Sequence, residues 1–206
     1  MEKVKIQKTK NCKLLTIPNE KSSGVAILVL IKTGTRNEPE NKIGLAHLVE
    51  HLLFDGTKKR PTKQHLTSEI EKTGGSFEGF TGNEYTGYGI VVLPKHLDTG
   101  VDILSDMLNN SLLSKKDIEK EKKIVAEENK LISDTPSRLI KFIIDNVLWP
   151  NTNMGRFMID ESKTLNTITK EDINDFIKKY NYANSYVVVV GNKKYLPSAK
   201  NLILKN

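Results

Sequence analysis

Gly44-Leu45-Ala46-His47-Leu48-Val49-Glu50-His51 is the stretch on which the reading of this 206-residue chain turns. Continued to Phe54, it is apolar on almost every side of a helix, so a helix over 43–54 is expected to be buried nearly all round. Yet it carries two histidines and a glutamate. Residues four apart lie about 40° apart around a helix axis, so His47 and His51 project from one face. Two imidazole nitrogens so arranged suit a tetrahedral zinc, which takes a third protein ligand and leaves its fourth position to water. Glu50, nearly one turn after His47, reaches that water without being a ligand. It is the candidate general base, taking the proton as the water attacks a carbonyl. Chance produces this spacing roughly 0.005 times in a chain of this composition. A solvated polar face is a poor alternative among Leu45, Ala46, Leu48, Val49, Leu52, Leu53 and Phe54, because ionisable groups persist in apolar surroundings when they are paired or bind metal.

A third ligand is sought on the helix expected over 117–132, which carries Glu119, Glu121, Glu127 and Glu128. The helical neighbours of Glu128 are Ile124, Val125, Leu131 and Ile132, all apolar, whereas those of Glu127 include Lys123 and Lys130. Glu128 is therefore the expected ligand. Glu121, two turns earlier on the same stripe, is either a partner behind the ligands or an auxiliary acid of the site, and is grouped with Glu50 as catalytic. His65 and His96 have no carboxylate cluster in sequence and read as surface or packing residues.

Further out, strands are expected at 4–6, 14–17 and 24–31, the last a nearly continuous apolar run suited to a central strand. A helix over 62–72 ends at Gly74-Gly75, and strands 76–80 and 85–93 form an antiparallel pair turning near Gly82-Asn83. Helices are expected at 94–110, 117–132, 137–148 and 170–179, with a strand at 186–190. This order predicts an α+β fold, a mostly antiparallel sheet packed by helices, in a single domain over 1–206.

Composition narrows the function classes. Lys+Arg 32 against Asp+Glu 25 gives a net charge of +7, but only Arg36, Arg60, Arg138 and Arg156 are arginines. Aromatics are 6%, and the bases are spread along the chain, so no nucleic-acid partner is expected. The Lys-rich segments at 58–63 and 120–123 read as solvated faces. The longest apolar run, 24–31, is far short of the roughly 20 residues a bilayer demands, so no membrane partner is expected either. Cys12 is the sole cysteine, so it builds no disulfide framework, and no His or Asp partner gives it a catalytic role. With an N-terminus lacking an apolar signal region, a reducing, cytoplasmic setting is expected.

The order H-x-x-E-H is the inverted zincin signature, and the surrounding chain resembles the pitrilysin and mitochondrial-processing-peptidase family of zinc metallopeptidases. The resemblance extends from 42–62 through Gly74-Gly75-Ser76-Phe77-Glu78-Gly79-Phe80-Thr81 and Glu84-Tyr85-Thr86 to 118–128, Asn153-Met154-Gly155-Arg156 and 186–191. It implies one zinc per chain on His47, His51 and Glu128, with Glu50 as base and Glu121 as a further acid near the site. It implies an endopeptidase acting on peptides or unfolded segments, bound as an added strand along Gly75, Ser76, Phe77, Glu78, Gly79 and Phe80. Glu78 stands where the family usually has Asn; its charge would lie near the scissile bond and favour basic peptides. The family pairs two domains of this size, the second contributing an Arg and a Tyr, so these residues correspond to the catalytic half. A homodimer or a second half-domain chain is the implied partner. The alternative is a weakly active or non-catalytic zinc-binding subunit or scaffold of a peptidase-like complex.

Overall fold

Among the residues that the computed structural model describes (5–8, 12–156 and 161–205), six strands form one sheet. They are Lys5–Lys8 (β1), Lys13–Pro18 (β2), Val25–Ile31 (β3), Ser76–Thr81 (β4), Thr86–Val92 (β5) and Ser185–Gly191 (β6). Their order is β1-β2-β6-β3-β5-β4. Only β2 and β6 run parallel; the other pairs are antiparallel. Val4, part of the first expected strand, lies outside the described residues.

β3 is central, as its apolar run predicts, but it is not covered on both sides. Val25, Ile27, Val29 and Ile31 are buried while Ala26, Leu28 and Leu30 are half-buried, and β6 alternates in the same way. Strand side chains point alternately to the two faces. One face therefore carries the core, and the other is open enough to leave Val91 of β5 45% exposed.

The helices are Leu45–Leu53 (α1), Lys63–Lys72 (α2), Leu97–Asn110 (α3), Lys115–Ser133 (α4), Pro136–Leu148 (α5), Glu161–Thr164 (α6), Lys170–Ile177 (α7) and Leu196–Lys205 (α8); α1, α2, α3 and α8 pack against strands, α4 packs on α1, and α5 on α4. Several begin where the sequence supplies a cap. Thr62 accepts from the His65 backbone at 3.2 Å, Ser114 from Asp117 at 3.1 Å, and Thr169 forms a capping box with Asp172; such side chains satisfy N–H groups the helix leaves unpaired. α8 is absent from the sequence-based expectations, although Pro197 in its first turn is a recognised start signal; Leu196 and Ala199 bury it. No helix of the described residues is long and apolar enough to cross a membrane.

In the basic run after α1, Lys58, Lys59 and Lys63 are exposed as the solvated-face expectation has it, but Arg60 is not. Arg60 is 8% exposed in its side chain, because three acids from two other helices surround it. Its Nε and Nη2 donate to Glu69 at 2.7 and 2.8 Å, Nη2 also to Asp102 at 2.7 Å, and Nη1 to Asp106 at 3.0 Å. Asp106, itself 1% exposed, also accepts from the Thr57 hydroxyl. One guanidinium thus ties the post-α1 loop to α2 and α3.

Arg60→Leu leaves the Asp106 charge buried without its cation and should destabilise the fold by about 3–5 kcal/mol in urea unfolding at neutral pH. The Arg60 hydrogen bond holds Glu69 below the usual carboxylate range; Asp102 is also lowered, Lys59 and Arg60 outweighing its burial. A lowered carboxylate contributes stability that is present above its ordinary pKa and lost as pH falls through the lowered value. The gap between wild type and Arg60→Leu should therefore shrink below about pH 4. A gap that widens there would contradict this assignment.

Candidate metal centre

α1 is a core helix with one polar stripe. Leu45, Ala46, Leu48, Val49, Leu52 and Leu53 are buried, packing against α4, β4 and α7. The stripe left between α4 and β4 carries His47, Glu50 and His51. The helix starts at Gly44, which has φ 92° and offers no side-chain cap. Glu38 takes over from a distance: its Oε2 accepts from the Gly44 N–H at 3.1 Å and its Oε1 from Ala46 at 2.7 Å. Glu38 is 3% exposed, and Arg156 donates to its backbone carbonyl at 2.9 Å. A carboxylate at a helix N-terminus is favoured by the dipole as well as by these bonds.

His47, His51 and Glu128 converge. Each imidazole Nε2 lies 3.5 Å from Glu128 Oε2, the rings meet edge to face with centroids 4.8 Å apart, and the three ligand atoms all lie within 4.8 Å of one another. In a tetrahedral zinc site with bonds near 2.0–2.1 Å, neighbouring donors stand about 3.3 Å apart. Two nitrogens and a carboxylate oxygen at these separations fit that ion with small movements. A hydrogen bond from His47, helped by the charge of both imidazoles, holds Glu128 below the usual carboxylate range.

The structure separates the two glutamates of α4 in a way their shared stripe does not foretell. Glu128 is 45% exposed: it borders an open cleft rather than the core, and its neighbour Leu131 is 60% exposed. The buried line of α4 is instead Ile118, Glu121, Lys122, Val125 and Asn129. Glu121, 1% exposed, lies behind His51 and does not border the cleft. Its Oε2 is 2.8 Å from His51 Nδ1; with Nε2 turned to Glu128, Nδ1–H is the donor. Burial pushes Glu121 up, but His51 and then Lys120 outweigh it and bring it down to about 2. Of the two readings of Glu121, its position is that of a partner orienting His51, not of an acid facing the cleft with Glu50.

In the second Lys-rich segment Lys120 and Lys123 are exposed as expected, but Lys120 is also held by two acids and Lys122 is buried. Lys120 Nζ bridges Glu121 Oε1 at 2.9 Å and Asp55 Oδ1 at 2.7 Å, and burial pushes Asp55 up to about 6 even with that lysine beside it. Lys122 in the same segment is 7% exposed and pairs with Glu119 at 3.0 Å.

Glu50 faces the cleft, its Oε2 accepting from Thr81 Oγ1 at 2.5 Å. β4 runs beside it with Phe77, Gly79 and Thr81 turned toward α1. Phe77 stacks on Phe54 at 5.0 Å. A side chain at position 79 would come 2.6 Å from Phe54 Cε2 and 3.0 Å from Glu50 Oε1, so glycine there lets the strand approach the base. Alternation turns Ser76, Glu78 and Phe80 to the opposite face, where Glu78 lies over Gly89. Its carboxylate is thus on the face of β4 away from Glu50. Gly75 is held close to Val91, where a Cβ would come 2.4 Å from the carbonyl oxygen.

Of the strand residues expected to bind substrate, Phe80 alone lines the cleft of about 520 Å³ that opens in front of His47, Glu50 and Glu128. Thr81, Asn83, Phe142, Asp145 and Arg156 are among its other walls; of the last three only Arg156 falls in a stretch matched by the resemblance, and Phe142 and Asp145 have no signal in the sequence. His65 is exposed and His96 half-buried, both apart from the cleft, and Cys12 is buried in the core.

Comparisons with known proteins agree with this geometry. Residues 13–161 match the family model described as Insulinase (Peptidase family M16). The chain is 34% identical over 206 residues to an uncharacterized zinc protease of Rickettsia felis, covering 98% of this chain and 50% of that protein. It is 34% identical over 161 residues to the mitochondrial-processing peptidase subunit beta of Dictyostelium discoideum, covering 78% of this chain and 34% of the relative. Among solved structures, a protease from Helicobacter pylori superposes with a TM-score of 0.89 at 25% identity, over 98% of this chain and 49% of its own. The chain spans half or less of the length of these relatives. With the match covering most of its residues, it belongs to peptidase family M16, the insulinase family.

Proposed function

We propose that this domain is the catalytic half of a zinc-dependent endopeptidase that hydrolyses peptides or unfolded segments. The observation that carries the reading is the convergence of His47 Nε2, His51 Nε2 and Glu128 Oε2 beside a carboxylate, Glu50, that shares their cleft. When bound there, zinc supplies Lewis acidity and brings a water's pKa to about 7. Glu50, oriented by Thr81, takes the proton from the attacking water and returns it to the leaving amine. β4 supports the substrate class. It pairs with β5 on one side, and its other edge has no strand partner among the described residues. A peptide adding there gains main-chain hydrogen bonds with little demand on its sequence.

The partner reading rests on α5. That helix buries none of its residues, and Ile140, Ile144, Val147 and Leu148 are 52%, 48%, 69% and 60% exposed, a face of the kind that marks an interface. Lys141, Phe142 and Asp145 on the same helix line the cleft, so a body docked on α5 would border the catalytic site. The relatives' double length argues that this body is a second domain of the family. That domain would come from a second half-domain, carried by a partner chain or by a second copy of this one.

Purified protein should bind about one zinc, and Glu50→Gln should keep that zinc while lowering kcat/KM on a quenched peptide by about 10²–10⁴-fold. Glu128→Gln should lose the metal. A zinc-loaded assembly of proven stoichiometry that cleaves nothing in a broad peptide library would sink the catalytic reading. If the partner is a second copy, light scattering should give a dimer for wild type and a monomer for Ile144→Glu/Val147→Glu; a wild-type monomer at about 100 μM, weaker than specific interfaces of standard size, would exclude the second copy and leave a separate half-domain.

A further inference from the structure

We propose that Asp55 and Lys120 are positioning residues that act through Glu121 to aim His51 and so set how tightly this centre holds zinc; the inference rests on the metal reading above. The line of contacts is continuous. Asp55 Oδ1 lies 2.7 Å from Lys120 Nζ, the same nitrogen lies 2.9 Å from Glu121 Oε1, and Glu121 Oε2 lies 2.8 Å from His51 Nδ1. His51 Nε2 in turn faces Glu128 at 3.5 Å. Asp55 follows α1 four residues after His51, and Lys120 adjoins Glu121 on α4, so the line closes a ring between the two elements that carry the ligands.

Each member has a separate task. Glu121 has one oxygen bonded to the imidazole, while the other, buried without a hydrogen bond of its own, meets the lysine as an ion pair, so its carboxylate cannot rotate without losing one or the other. The bond to Nδ1 fixes both the tautomer and the ring plane, which is how an outer partner tunes a metal-ligating histidine. Lys120 is 45% exposed and, left alone, would exchange Glu121 for water along its flexible stem. Asp55, with a side chain only 4% exposed, holds the ammonium on the inner side. Asp55 is itself poorly provided for: its second oxygen, Oδ2, is buried with no hydrogen-bond partner. A carboxylate kept in that state is a burden to the fold, and an amide or apolar residue would pack there more favourably. The groups around its side chain are the lysine paired with Glu121 and Glu121 itself, so its benefit lies in the position of that lysine and that carboxylate. None of the three borders the cleft, so none is offered as a catalytic residue.

The test is a zinc dissociation constant, measured by competition with a chromogenic chelator on the whole chain, with the unfolding midpoint of zinc-free protein alongside. Outer partners of ligating histidines typically change metal affinity about 10–100-fold. Asp55→Asn and Lys120→Met should each weaken zinc about tenfold, and the double variant should be no more than about twofold worse than either single change, because both act through one carboxylate. Lys120→Arg should restore affinity to near wild type. Asp55→Asn should leave the zinc-free midpoint unchanged or raise it, a direction opposite to its effect on the metal. Affinities within twofold of wild type in both single variants would overturn the proposal. So would losses that multiply in the double variant, or a loss that follows a fall in the zinc-free midpoint and is not recovered by Lys120→Arg. If the wild-type chain binds no zinc, the metal reading fails as well; if it binds zinc normally and the variants match it, only this inference fails.

Discussion

A helix of nine residues must stay inside the core and still present two imidazoles and a carboxylate to solvent. Six positions of α1 are buried, which fixes its rotation: turned by one residue, the polar stripe would enter the core and an apolar position would enter the cleft. Its ends are fixed by acids brought from elsewhere. Glu38 accepts the first N–H groups, which a helix start at glycine would otherwise leave unpaired, and Glu121 reaches the imidazole of the last turn. Both carboxylates are almost fully buried, at 3% and 1% exposure. The site is therefore supported from behind by charges that need compensation, and the remaining electrostatics of the domain follow from that need.

Compensation is organised in two clusters that share the segment leaving α1. Asp55 and Lys120 complete the line behind His51, while Arg60, five residues further on, gathers Glu69, Asp102 and Asp106. The first cluster connects α1 to α4, and the second connects the loop to α2 and α3. In front of the helix the balance differs. Glu38, Glu50, Glu84, Glu128 and Asp145 line the cleft against Lys141 and Arg156, an excess of negative charge suited to a divalent cation.

The parts of this arrangement that were legible in the amino-acid sequence depend on local periodicity. His47, Glu50 and His51 are decided by spacing on one helix, and Glu128 is separated from Glu127 by its i±3 and i±4 neighbours. Even there the reasoning overshoots, since an apolar neighbourhood suggests burial and Leu131 turns out to be 60% exposed; the buried acid of α4 is Glu121. The illegible parts are those decided by distant partners. Arg60 sits in a run of lysines and reads as solvated until residues 69, 102 and 106 come together around it. Glu38 stands in a polar loop with no cue that it caps a helix six residues later. The side of β4 to which Glu78 points depends on pairing register, which strand composition does not fix.

α1, α4 and the edge strand β4 thus meet at one cleft, with the donors in the first two and the open hydrogen-bonding edge in the third. The account is most directly tested by X-ray absorption spectroscopy at the zinc edge on the zinc-loaded chain. It predicts a low-coordinate shell of nitrogen and oxygen scatterers at about 2.0–2.2 Å, with outer-shell features of two imidazoles and no sulfur. A sulfur scatterer near 2.3 Å, or the signature of fewer than two imidazoles, would contradict it.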